Sequence, residues 1–226
     1  MSEIERLARA VGLSAEQQEL LAALLAEEGI DLAEEPALVP GNGQGKAVPP
    51  LTRRPREGEP PLSFAQERLW FLDQLEPGSA QYNIPSVLEL AGPLRPAALA
   101  WALGEVERRH EAVRTVFTAL SDTPAQVLQP GRYRFPLPVI DLSKLAQEQE
   151  RNSERLTREE AARPFDLTRG PLWRALLLRQ SAERHVLIVT MHHIVSDGWS
   201  MGVLVREVAE LYSAAIEGRP ARLAPL

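Results

Sequence analysis

The sequence predicts an α+β fold, a mixed sheet covered by helices, on three observations. Stretches with the alternation or continuous apolar run of strands, such as "YNIPSVLELAG" and "RHVLIVTMHHIV", are interspersed with stretches of helical periodicity such as "RPAALAWALGEVERRHEA". Short turn signals, "SDTP" and residues 181–184, join neighbouring strands as hairpins. The chain has 226 residues, 44% of them hydrophobic, enough to build a sizeable core.

The elements follow in chain order. Ser2 can cap a first helix with Glu5 reaching back; Ile4, Leu7, Ala8 and Val11 share a face, and Gly12 ends it. Ser14 with Gln17 opens a second, whose Leu20, Leu21, Leu24 and Leu25 oppose Glu16, Glu19 and Glu27. This pair, residues 1–32, is too small to bury its leucines alone, and reads either as a linker hairpin or as a docking element for another polypeptide. Residues 33–61 hold seven of the 19 prolines and four of the 14 glycines, the composition of an extended tether.

From residue 62 onward the patterns are globular. Ser63 caps a helix with Leu69, Trp70, Leu72 and Leu75 at helical spacing, closed by "EPGS". A strand, "YNIPSVLELAG", precedes an amphipathic helix carrying Leu99, Trp101, Ala102, Leu103 and Val106. "VRTVFTAL" and "PAQVLQPG" alternate and pair across "SDTP". A polar helix over 148–162 leads to two strands, "RPFDLTRGPLWRALLLRQS" and "RHVLIVTMHHIV". The last helix runs from Trp199 to Ile216 and stops at Gly218.

With no cysteine, thiol chemistry and cysteine metal sites are excluded, which suits a reducing cytoplasm. The net charge of -6 is concentrated in residues 1–35, which hold nine acids and two bases, and no basic stripe with interleaved aromatics suggests nucleic acid. No apolar run reaches the length of a membrane span, so the expected location is cytoplasmic.

The stretch "TMHHIVSDGWSMG" places two of the four histidines side by side at a strand end. Side chains alternate across a strand, so His192 and His193 cannot both face one site, and a metal pair is disfavoured for the same reason. A histidine at the mouth of a sheet suits proton transfer to or from an amine or hydroxyl. Asp197 could hold a histidine tautomer or pair with an arginine, and Gly198 permits a tight path into the next helix. By spacing alone, a His-Asp pair of this sort is more often structural than catalytic.

"MHHIVSDGWS" resembles the HHxxxDG motif of condensation domains of non-ribosomal peptide synthetases. "SFAQERLWFLDQLEPGSAQYNIP", "RRHEAVRTVF" and "RPFDLTRGPLWRALLLR" are similar to further motifs of that family, in its order. The resemblance implies a chloramphenicol-acetyltransferase-like lobe, one half of a pseudo-dimer whose active site is a tunnel between two lobes. It implies that residues 62–226 are the N-terminal lobe, that the C-terminal lobe is absent, and that this chain alone is inactive. The activity it implies joins the acyl group of an upstream carrier-protein thioester to an amine held on a downstream carrier. Both would ride on phosphopantetheine arms, with no cofactor bound directly. Partners would be the two carriers, the other lobe, and an upstream synthetase subunit docking at residues 1–32.

By the same resemblance His193 is catalytic, deprotonating or orienting the amine; His192 packs the strand, Asp197 is chiefly structural, and Gly198 lies near the thioester carbonyl. Either Arg109 or Arg114 would pair with Asp197, Arg114 being favoured because it begins a strand. Trp70, Trp173 and Trp199 are expected in the core. Heterocyclisation domains resemble a DxxxxD pattern that this chain lacks, which favours condensation.

Overall fold

The computed structural model describes residues 59–226, apart from 121, 122, 133 and 146. The expected helices of residues 1–32 and most of the tether lie outside the described residues. At the start of the described residues, Pro61 bridges Ala125 and the Pro60 carbonyl accepts from Gln126 N.

Helix α1 is Phe64–Leu75, opened by the expected Ser63 cap and closed into a full capping box by Gln66. None of its residues is fully buried, and Leu75, at helical spacing with Leu69 and Leu72, is exposed together with Phe64 and Phe71. Strand β1 is Asn83–Ala91 and helix α2 is Pro96–Arg109, with proline in its first turn, where a missing N–H costs nothing. Leu99, Ala102, Leu103 and Val106 form the buried stripe of α2, whereas Trp101 falls outside that stripe and is exposed.

Strands β2 (Thr115–Leu120) and β3 (Thr123–Leu128) form the expected hairpin as a separate two-stranded sheet. The predicted start of β2 at Val113 is taken instead by a 3-10 turn, Ala112–Arg114. Strand β4 (Val139–Asp141) was not expected: three residues between prolines and a polar turn carry too little periodicity to read.

Helix α3 is Gln149–Ala162, followed by β5 (Trp173–Arg179) and β6 (Arg184–His192). The predicted strand from residue 163 is shortened, because Asp166 folds residues 166–170 into a turn by accepting from Thr168 N and Arg169 N. Helix α4 is Gly198–Glu217 and ends, as expected, at Gly218 in the left-handed conformation.

The main sheet has the order β1-β6-β5-β4, antiparallel except for the β4/β5 pair. One face packs on α2 and α4 through Leu187, Val189 and Met191; the other carries Val186 and Ile188 with Leu156 of α3. Both faces of β6 are therefore covered, and its burial is continuous instead of alternating. A third cluster joins Leu62, Phe117, Phe165, Leu167, Leu172 and Ile194, with Leu69 and Trp70 of α1 packed against it. Among the described residues, no helix is long and apolar enough to cross a membrane.

Gly170 shows one backbone requirement plainly. Its φ is +58°, and an added Cβ would stand 2.9 Å from a Val116 methyl carbon. Gly170→Ala is expected to destabilise the fold by about 1–2 kcal/mol from the left-handed conformation alone, with the Val116 contact adding to it. Chemical denaturation would register this as a lower midpoint at unchanged slope.

Candidate active site at the end of the central strand

Strand β6 stops at His192 because the next backbone groups turn back on themselves. His193 N–H makes the last cross-strand bond, to Tyr82 O at 2.8 Å. Ile194 N–H then donates to His192 Nδ1 at 3.1 Å, and Val195 N–H to His192 O at 3.1 Å. The apolar side chain of Ile194 is buried in the third cluster, which pulls residues 193–196 off the strand line.

The two histidines land in opposite environments. His192 is only 3% exposed and lies beside Tyr82 and edge-on to Phe165, at ring separations of 6.4 and 6.2 Å. Burial, with a smaller contribution from the neighbouring His193, lowers its pKa to about 4. A neutral ring is also what its Nδ1 needs in order to accept from Ile194 N–H.

A stability consequence follows. An unfolded histidine takes up its proton near 6.5, and folded His192 only near 4. Between those values the unfolded chain binds a proton that the folded chain does not, so stability falls as pH falls from 6.5 to 4, by up to about 3 kcal/mol. His192→Asn, whose side-chain oxygen can still accept from Ile194 N–H, should flatten that part of the profile. Equal pH slopes for the two proteins in urea unfolding would contradict the assignment.

His193 is exposed. Its Nδ1 lies 2.8 Å from Ser196 O, and a carbonyl can only accept, so the proton sits on Nδ1 and Nε2 keeps its lone pair. A groove of about 570 Å³ runs past it, walled by Ser63, Gln66, Tyr82, Asp197 and Ser200. An exposed imidazole with a fixed tautomer, whose Nε2 has no partner among the described residues, can accept a hydrogen from a nucleophile and return it to a leaving group.

Asp197 is the N-cap of α4, its Oδ1 accepting from Ser200 N at 2.8 Å and from Ser200 Oγ at 2.6 Å. These two bonds, with the His193 ring as a lesser cause, hold its carboxyl below the usual carboxylate value. The expected arginine partner is not there. Arg114 donates to the carbonyls of Glu107 and Gln129 at 3.0 and 2.8 Å, bracing the end of α2 against the exit of β3. Arg109 donates to Glu207 at 3.1 Å and to Ala224 O at 2.8 Å, about three turns along α4 from Asp197.

Glu207 also takes the ring of His110 at 2.8 Å; burial pushes its carboxyl up, and the bonds from Arg109 and His110 outweigh that and leave it lowered. These side chains lock α2 to α4 and hold the scaffold behind the site.

Two further expectations change. Gly198 has no left-handed φ, and an added Cβ would meet nothing within 4 Å, so the path into α4 does not require glycine. Trp199 is 83% exposed at the first turn of α4 and is not in the core, whereas Trp173 is fully buried. Trp70 is partly buried, its Nε1 shielded from solvent without a hydrogen-bond partner among the described residues.

Sequence reasoning missed Gln66, Tyr82, Ser196 and Ser200. For Gln66 a signal existed, the Ser-x-x-Gln box at residues 63–66. For Ser196 none did, because it acts through its backbone carbonyl.

A family model described as "Condensation domain" matches residues 56–226. The chain is 48% identical over 187 residues to chondramide synthase cmdD of Chondromyces crocatus, covering 80% of this chain and 5% of that protein. It is 46% identical over 180 residues to phosphinothricin tripeptide synthetase PhsC of Streptomyces viridochromogenes, covering 79% and 16%. In structure it is similar to the first condensation domain of the CDA synthetase, with a TM-score of 0.69, 30% identity, and coverage of 75% of this chain and 44% of that one. The starter condensation domain of rhizomide synthetase RzmA gives a TM-score of 0.67 at 30% identity, covering 72% and 39%. The chain thus spans less than half the length of those two solved domains and a small fraction of those two synthetases.

Proposed function

Because the chain belongs to the condensation-domain family, we propose that it serves amide-bond formation between a carrier-bound acyl thioester and a carrier-bound amine in non-ribosomal peptide synthesis. The observation that carries this reading is His193, exposed on an open groove, with Nδ1–H held by Ser196 O and Nε2 free to accept.

The amine nitrogen attacks the thioester carbonyl carbon with its lone pair. Its N–H is aimed at His193 Nε2, which takes the proton as the new C–N bond forms. The C–S bond then breaks, and the departing thiolate recovers the proton from Nε2, leaving the ring as it began. The first backbone N–H groups of α4, at Gly198 and Trp199, are suited to the oxygen that becomes negative in between, since a helix N-terminus favours negative charge. Asp197 supports this by holding the first turn of α4.

The expected partners are the upstream and downstream carriers, whose phosphopantetheine arms deliver the two substrates, and a second lobe that completes the tunnel. Residues 1–32, acidic and leucine-striped, are assigned to a docking or linker element, in the first case for an upstream subunit, residues 33–61 to a tether, and residues 62–226 to the N-terminal lobe. A cytoplasmic setting, where aminoacylated carriers are made, accords with the cysteine-free composition.

Reconstitution tests the reading. A synthetase containing this segment, supplied with acyl-loaded donor and aminoacyl-loaded acceptor carriers, should yield the amide on the acceptor arm, read by mass spectrometry. The 226-residue chain alone should yield none, because holding two arms in register needs both walls of the site. Rapid turnover by the chain alone, or hydrolysis of the thioester as the sole product of the synthetase, would overturn it.

A further inference from the structure

The turn that carries His193 is held largely by bonds within residues 192–196 and by Tyr82 O. Among the described residues, one side chain from another element reaches this backbone: Gln66 of α1 donates from Nε2 to Ile194 O at 3.4 Å. The same Nε2 lies 3.5 Å from Gln126 Oε1 on β3. Gln126 in turn donates from its own Nε2 to Pro61 O at 2.8 Å.

The direction of both amides is set at their far ends. Ser63 N–H requires the oxygen of Gln66, which accepts it at 2.9 Å, and the Pro61 carbonyl requires the nitrogen of Gln126. Turning either amide around would set oxygen against oxygen, or N–H against N–H. Gln66 therefore presents two N–H hydrogens to two acceptors, from a half-buried position on the wall of the His193 groove.

We propose that Gln66 is a positioning residue for His193. By drawing the Ile194 carbonyl onto α1 it sets the turn in which His193 Nδ1–H meets Ser196 O, and so keeps Nε2 free as the acceptor. This rests on the reading of His193 as the group that takes the amine proton. The competing account is that Gln66 only completes the cap of α1.

The two accounts separate because the two ends of the side chain can be changed independently. Gln66→Glu keeps an oxygen for Ser63 N–H, as capping boxes do with glutamate, but has no N–H for Ile194 O. Ser63→Ala removes the cap hydroxyl and leaves the Gln66 amide in place. Ring-nitrogen NMR of the 15N-labelled 226-residue chain, at mildly alkaline pH, reads the His193 tautomer directly. The wild type should show one neutral form with the proton on Nδ1. Gln66→Glu should show a mixture, with the Nε2–H form rising severalfold, while Ser63→Ala keeps the wild-type signal.

An unchanged His193 signal in Gln66→Glu would overturn the proposal, and so would an equal change in Ser63→Ala. Gln66→Met, which has similar length and no donor, repeats the measurement should the glutamate variant fail to fold. A wild-type chain protonated on Nε2 would overturn the assigned role of His193 itself, an outcome distinct from failure of the Gln66 link alone.

Discussion

Replacing His193 by alanine is expected to lower the rate of amide formation by about 10²–10⁴-fold, the usual contribution of a positioned acid or base. The loss should appear in single-turnover transfer from a loaded donor carrier to a loaded acceptor carrier. It should not be a folding defect: His193 is exposed, and among the described residues its ring bonds to Ser196 O alone. The circular dichroism and unfolding midpoint of His193→Ala should therefore stay close to wild type. His193→Asn is a stricter control, since its amide N–H can still reach Ser196 O while it offers no basic nitrogen to the amine. Wild-type-like product formation by either variant would remove His193 from the chemistry and the proposed mechanism with it.

Trp173→Ala is expected to have the largest effect on stability, about 3–5 kcal/mol, as large aromatic truncations in a core do. Trp173 is fully buried at the start of β5, packs on Phe135 at a ring separation of 4.5 Å, and donates from Nε1 to Glu107 at 3.1 Å. Glu107 is itself buried on α2 and paired with Arg132, whose guanidinium also lies over Phe135 at 4.7 Å. Removing the indole thus opens a cavity and takes one donor from a buried carboxylate.

The magnitude is a large fraction of what a domain of this kind has in total. Trp173→Phe separates the two contributions, because it retains most of the ring volume and loses only the donor. Its cost should be less than half that of alanine, measured by denaturant unfolding with the slope checked for constancy. Equal costs for the two variants would show that the hydrogen bond to Glu107, not the packing, dominates.

How much was legible in advance varied with distance along the chain. The Ser63 cap, the β2/β3 pairing, the α2 stripe and the Gly218 stop were readable because each depends on residues within a few positions of one another. The exposure of Trp199 is not legible in the sequence, because an apolar residue in the first turn of a helix has no local feature that says whether anything covers it. The expectation of an arginine partner for Asp197 fails for a local reason. A carboxylate at a helix start has a ready partner three residues on, and Ser200 took it before any distant arginine could. Strand β4 was invisible because its stability comes from pairing in register with β5, not from its own three residues.

By itself, the sequence determined the α+β class, the order of most elements and the restriction that His192 and His193 face different surroundings, since all three follow from backbone periodicity. Only the tertiary structure decided what those surroundings are. The β1/β6 register brings Tyr82 beside His192, the turn after β6 makes Ser196 O the acceptor for His193 Nδ1–H, and Gln66 arrives from a helix more than a hundred residues earlier. The physical reason is that periodicity separates two faces of a strand without naming either, and a histidine becomes buried or reactive only through the groups that packing brings against it.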